Sequence, residues 1–349
     1  MREIVLTGTG LVSPLGNHTV AVAGRLRAGE QQSRVADIPL DVVPPGARTR
    51  IGRLDRVCRL ALAASYLAVD DAHLPRPLAR PERVGLVFGT GLGCLLSDIE
   101  FFAKVVAQGA AAASPRAFAY TVSSAAAGEV SIGLGIHGPN TTLHMGMAAG
   151  AGALGYAAQL IAGGRADVVL AGGADALEDP LTDALRDMRL LKGPERSRPF
   201  VDAVPGVWPA EGAAILVLEE AAHAEARGAA VRARVLGHAA GFEPTLTSRA
   251  PVADGLVAVL RAALAGQPPP ELVLASAHGT PLDALERAAF DAAGLGGVPV
   301  VAPKQHLGDA FGASSAIAAA LAPQLGAGRV LISAVCPGGS IGAVLLATP

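Results

Sequence analysis

Three cysteines, Cys58, Cys94 and Cys336, are all that 349 residues contain. Their odd number and unpaired spacing exclude a disulfide framework or a thiolate metal cage and fit reduced thiols in a cytoplasm. An excess of one charge is also missing, because 28 basic and 30 acidic side chains are interspersed and nearly cancel. No basic face is left to neutralise a phosphate backbone, so a nucleic-acid partner is not expected. Long runs of Leu, Ile and Phe are absent too. Two stretches without formal charge, 141–164 and 310–328, are dominated by Gly, Ala and Ser and interrupted by His144 and Gln324. They read as buried helices and strands of a soluble chain, not as membrane spans. The opening MREIVLTGTGLV has Glu3 before its apolar run and no small-residue cleavage site after it, so it reads as a core strand rather than an export signal. No cofactor and no metal site is expected.

What the chain does contain is a hydrophobic fraction of 51% against 17% charged residues, enough to bury a substantial core. Short β-branched or Leu/Val runs alternate with Ala-rich helical segments, the pattern of a layered α/β protein. Strands are predicted at 3–7, 84–88, 141–145, 168–171, 213–218, 231–236, 272–276, 298–302, 330–334 and 343–347. Helices are predicted at 53–72, 97–108, 149–162, 254–265, 283–294 and 314–325. RADVVLAGGADAL at 165–177 and GRVLISAVCPGGS at 328–340 each place a buried strand, entering a glycine loop, after a small-residue helix. The parallel suggests two duplicated halves, 1–190 and 191–349, within one compact unit. Their junction falls near 179–196, where the apolar pattern breaks into LKGPERSR.

From end to end, the order of motifs resembles the β-ketoacyl synthases. The pieces are TGTGLVSPLGN, VGLVFGTGLG, GPNTT, GALGYAAQLIAGGRADVVLAGGADA, SRPF, EGAAILVLEEAAHAEARGA, AHGT and PKQHLGDAFGASS. TGTG alone would be a weak phosphate-loop signal and is read as turning a strand. The resemblance implies a thiolase-type, five-layered αβαβα fold, a two-fold dimer and a pocket near the interface of the halves. It also implies a Cys nucleophile at the start of a buried helix, two histidines that promote decarboxylation and two backbone N–H groups that hold the oxyanion.

Each of these parts has a counterpart position here. Counting from GPNTT, the nucleophile position is Met147, whose thioether has no proton to lose and cannot form a thioester. His278 in AHGT matches the first histidine, but Pro281 and Leu282 follow Thr280 directly, so the loop that would hold a phosphopantetheine arm is shortened. Lys304 matches the family lysine, and the second histidine position is Asp309, an acceptor near neutral pH and not a donor. An Asp309–Lys304 ion pair is expected. Pro337 stands where the second oxyanion N–H should come from, and proline has none. Cys336, in CPGGSIG, resembles the C-terminal thiolase loop and is the one possible reactive thiol. Glu211 is expected to orient its surroundings without reacting.

The resemblance is strongest to the nucleophile-less chain-length factor of type II polyketide systems, the subunit that shapes the acyl channel for an active ketosynthase. That active subunit is the implied partner, with acyl carrier protein reached through the complex. Residues 114–128, SPRAFAYTVSSAAAG, match the channel region. Read as a helix, they put Ala119, Ser123 and Ala126 on one stripe, with Phe118 and Val122 on the next. The small stripe suits a long or rigid chain, as in polyene assembly. An edge strand of Thr141, Thr142, Leu143, His144 and Met145 is expected to pair across the two-fold. Two other readings stay open: a stand-alone malonyl-thioester decarboxylase or acyltransferase using His278 and Cys336, and a non-catalytic homodimer that binds an acyl group.

Overall fold

A computed structural model describes every residue except 1, 31–33, 46–47, 49–50, 192–197, 202–205, 249–250 and 349. The strands are β1 (Ile4–Val12), β2 (Val84–Thr90), β3 (Asn140–His144), β4 (Val168–Asp175), β5 (Gly212–Glu220), β6 (Ala233–Phe242), β7 (Leu272–Leu274), β8 (Val300–Val301), β9 (Arg329–Val335) and β10 (Ser340–Ala347). The longer helices are α1 (Thr19–Arg27), α2 (Arg56–Asp71), α3 (Leu95–Gln108), α4 (Ala125–Leu134), α5 (Ala149–Ala162), α6 (Asp179–Asp187), α7 (Asp254–Ala263), α8 (Leu282–Ala292) and α9 (Ser314–Leu321).

Strand order runs β3-β2-β4-β5-β1, then β6-β10-β9-β7-β8. Read inward from either edge the two series are the same. Three parallel strands are followed by two antiparallel ones, and the series meet through a short β1–β6 pairing at Val5 and Leu6. This mirrored order is the duplication suggested by the two glycine-loop segments. β5, which lies beyond residue 190, pairs with β4 and β1, so the first series draws a strand from past the expected junction.

Period-2 alternation divides the apolar residues of each strand between two cores. In β4, Val168 and Leu170 join α2 and α4 in an outer core, while Val169 and Ala171 face α5 in the central one. In β9, Val330 and Ile332 enter the central core, and Leu331 and Val335 pack with Leu260 of α7 and Phe290 of α8 in a third. The layers are therefore helix, sheet, the α5/α9 pair, sheet and helix. Strands covered on both faces explain the continuous apolar runs in the sequence.

The central layer is packed backbone to backbone. A Cβ on Gly150 of α5 would lie 2.8 Å from the Ala316 amide nitrogen of α9. Ser315 Oγ also accepts from Ala151 N at 2.8 Å. TGTG does not turn a strand: it lies inside β1, where Gly10 lets the α2 backbone approach closely at Ala64.

One local expectation is corrected. Residues 114–128 are not one helix, since a single turn at Pro115–Phe118 is followed by turns and then by α4 from Ala125. The Ala119, Ser123 and Ala126 stripe therefore does not exist; Ala126 is buried in the outer core, whereas Phe118 and Val122 are exposed. Helix α6 fills the first part of the expected junction segment. Most of LKGPERSR lies outside the described residues.

Candidate functional site

Met147 lies in the single turn Gly146–Ala148 that links β3 to α5, and it is half-buried. Gly146 adopts φ +54, a left-handed conformation that glycine tolerates best. A side chain there would also meet Cys336, whose Sγ would be 2.5 Å from an added Cβ. The structure thus brings Gly146, the residue before Met147, against Cys336 from beyond residue 190.

Cys336 begins the turn between β9 and β10. Its N–H donates to Ser340 O and its carbonyl accepts from Gly339 N, both at 2.9 Å. Pro337 is exposed at the tip of that turn.

His278 follows β7 and is buried. Asp283, in the first turn of α8, gathers the loop by accepting from the backbone N–H groups of His278 (3.1 Å), Gly279 (2.9 Å) and Thr280 (3.4 Å). The ring Nδ1 lies 3.3 Å from Ser276 O, a contact that requires the proton on Nδ1. Burial and then the Lys304 charge push the His278 pKa down, outweighing the pull of Asp309, so the ring is neutral near pH 7.

The expected ion pair is present: Lys304 Nζ is 3.2 Å from Asp309 Oδ2, and both side chains are buried. Asp309 Oδ1 accepts from Phe311 N at 2.9 Å and Ser314 Oγ at 3.0 Å. Burial alone would raise this carboxyl, but Lys304 and these hydrogen bonds hold it below the ordinary range. An ionised Asp309 has no proton to give. His278 Nδ1 is 3.9 Å from Asp309 Oδ2, so His278, Lys304 and Asp309 form one cluster. His306 faces away, with its ring at Glu30 O.

Two buried carboxyls were not singled out in the sequence. Asp175, at the end of β4, accepts from Thr90 Oγ1, Gly91 N, Leu92 N and Gly312 N at 2.5–3.0 Å. It ties the end of β2 to the loop after Asp309, and Gly91 in turn packs against the Gly146 carbonyl carbon and Gly312. Desolvation raises its pKa to about 6. Glu286 of α8 accepts from Ser276 N at 2.9 Å and Ser333 Oγ at 2.6 Å, and desolvation raises it to about 7. The only sequence signal for Asp175 was a charge inside an apolar run. Glu211 is fully buried and holds Arg56, Ala36 N and Leu177 N, a bracing role as expected.

Among the described residues β3 is an edge strand paired with β2 alone. Leu143 packs on the central core, Thr141 and Thr142 are half-buried, His144 is exposed and Met145 lies against Gly152. Near this edge Ile132 of α4 and Tyr156 of α5 are exposed.

Residues 43–224 match the family described as "Beta-ketoacyl synthase, N-terminal domain". The tetracenomycin polyketide synthase ketoacyl synthase alpha subunit of Streptomyces glaucescens is 32% identical over 89% of this chain and 82% of its own length. The chain belongs to the β-ketoacyl synthase family. A 3-oxoacyl-[acyl-carrier-protein] synthase 2 of Rhizobium meliloti is 31% identical over 91% of the chain and 85% of its own length. Among solved structures, the ishigamide ketosynthase/chain length factor superposes with a TM-score of 0.85 at 26% identity, covering 100% of this chain and 99% of that one. The five layers are thus the thiolase-type fold of the β-ketoacyl synthases. No helix among the described residues is long and apolar enough to cross a membrane.

The sulfur at residue 147 is alkylated on both sides, Asp309 is ionised and bound, and Pro337 lacks an N–H. The remaining groups are a neutral imidazole, a neutralised ammonium and the half-buried Cys336 thiol.

Proposed function

We propose that this chain is a non-catalytic, chain-length-factor-type subunit that pairs with an active ketosynthase of a type II polyketide system, or a related fatty-acid-like one, and shapes its acyl channel. Met147 carries the reading: the scaffold around the turn at 146–148 is complete while the atom that would bear the acyl chain cannot accept it. Asp309 and Pro337 support it independently. In this reading the edge strand β3, with Ile132 and Tyr156 beside it, pairs with the active subunit. The region of Phe118, Ala119, Val122, Ser123 and Ala126 borders the channel, and acyl carrier protein engages the assembled pair. The cytoplasm is the compartment that suits three reduced thiols.

Co-expression with candidate ketosynthases tests this. The expected result is a one-to-one complex that elongates malonyl units when neither subunit does so alone. Incubation of the isolated chain with malonyl-loaded and acyl-loaded carrier protein, followed by intact-mass measurement, should show no covalent acyl group and no released carbon dioxide. Acylation at Cys336 or decarboxylation dependent on His278 would establish the stand-alone enzyme instead, and a stable homodimer that binds acyl groups without reaction would establish the third reading.

A further inference from the structure

Two thiols that the site does not use lie against each other elsewhere. The sulfurs of Cys58 and Cys94 are 3.9 Å apart and both residues are buried. Cys58 is in the first turn of α2, and Cys94 immediately precedes α3. Three residues before Cys58, Asp55 accepts a 2.6 Å hydrogen bond from Ser97, which stands three residues after Cys94. The heads of α2 and α3 therefore meet twice, once through a polar bond and once through sulfur.

A disulfide requires sulfurs about 2.05 Å apart, so an approach of about 2 Å separates this contact from a bond. Cys94 follows Gly91-Leu92-Gly93, whose N–H groups are held by Asp175 and Thr90, so the approach must come from the two cysteine side chains and the heads of α2 and α3. A cleft of about 280 Å³ opens beside the same two helix heads, with Leu54, Asp55, Leu96 and Ser97 in its walls and neither cysteine among them. Cys94 is the less deeply covered of the two, 2% exposed against 0% for Cys58, so Cys94 is the sulfur that meets the oxidant.

We propose that Cys58 and Cys94 are a redox-active dithiol, converted by hydrogen peroxide into a disulfide that fastens the head of α3 to α2. In the first step the Cys94 sulfur, its proton passing to solvent, attacks one peroxide oxygen. The O–O bond breaks, one water leaves after protonation, and Cys94 becomes a sulfenic acid. The Cys58 sulfur then attacks the Cys94 sulfur, the S–O bond breaks, and the Cys58 proton departs with hydroxide as a second water. Two electrons have moved from the sulfur pair to the peroxide. α3 carries Ile99, Phe102 and Val106 exposed along one side, so the bond fixes the helix that presents this apolar face.

The test uses the full-length protein treated with excess hydrogen peroxide or with dithiothreitol, alkylated in denaturant, digested and weighed. The expected product is a Cys58 peptide joined to a Cys94 peptide, two hydrogens lighter than the sum and released by dithiothreitol, with a reversible rise in Tm of several degrees. Recovery of Cys58 and Cys94 as separate alkylated peptides after peroxide, or linkage of either to Cys336, overturns the proposal. Cys94→Ser should lose both the joined peptide and the Tm response; a joined peptide that persists in the variant also overturns it. Should the variant not fold, the wild-type peptide mass decides alone.

Discussion

The Cys336 sulfur occupies the space where a side chain of residue 146 would go, 2.5 Å from the Cβ that an alanine would carry there. A substitution at this turn is strained twice, by contact and by its positive φ. Gly146→Ala is expected to lower stability by about 1–3 kcal/mol in urea unfolding. Cys336→Ala should recover part of that loss in the double variant, because only the contact, and not the backbone strain, is relieved.

Lys304 and Asp309 are both buried, so removing the lysine strands a carboxylate. Lys304→Met should cost about 3–5 kcal/mol. Lys304→Met combined with Asp309→Leu should cost less than the single change. Equal costs in denaturant titrations would mean that the pair does not act as a unit.

Met147→Cys restores a nucleophile in type alone. With Asp309 ionised and Pro337 unable to donate, no condensation product is expected from the isolated variant in a carrier-protein assay. Recovery of condensation would show that residues 309 and 337 do not occupy the positions assigned to them.

Glu286 and Asp175 have folded-state pKa values raised to about 7 and about 6. Groups shifted this way bind protons more tightly in the folded state, so their contribution is complete below pH 4 and is lost as pH rises through 6 and 7. Asp309 works oppositely: its contribution is present above the ordinary aspartate range and is lost as pH falls through its depressed folded value. Glu286→Gln should therefore narrow the difference in stability between pH 5 and pH 8, by at most about 3 kcal/mol. Paired urea titrations at the two pH values check this.

Ile132 is exposed beside the β3 edge, so Ile132→Lys should leave the stability of the isolated chain within about 0.5 kcal/mol of wild type. In the proposed complex the same lysine is driven into an apolar contact, and co-purification with the active ketosynthase should fail. An unchanged complex would place the interface elsewhere.

All ten strands overlap runs legible in the sequence; β1, β2, β4, β5, β9 and β10 are covered on both faces and leave a run that no surface loop would tolerate. Helices were legible where length and flanking signals agreed, as at α5 and α7. α4, whose sequence AAAGEVSIGL is apolar nearly all round, shows no stripe, and only its start, 125–128, falls within the segment read as a helix. The degenerate positions were visible because motif spacing fixed them. Asp175 was not, since its partners Gly91 and Gly312 stand 84 and 137 residues away. The Cys58 and Cys94 contact was hidden for the same reason, as 36 residues of spacing say nothing about a shared helix head.

The α5/α9 layer is a party wall. Both sheets lean on it, and its helices touch at Gly150 and Ala316 with no room for another atom. A lineage that abandons chemistry at the end of such a wall gains no freedom to remodel it, because every adjustment disturbs two neighbours. In the proposed reading the departures from working chemistry fall at 147, 309 and 337, in the connections beside the wall, while the masonry behind them stays in place.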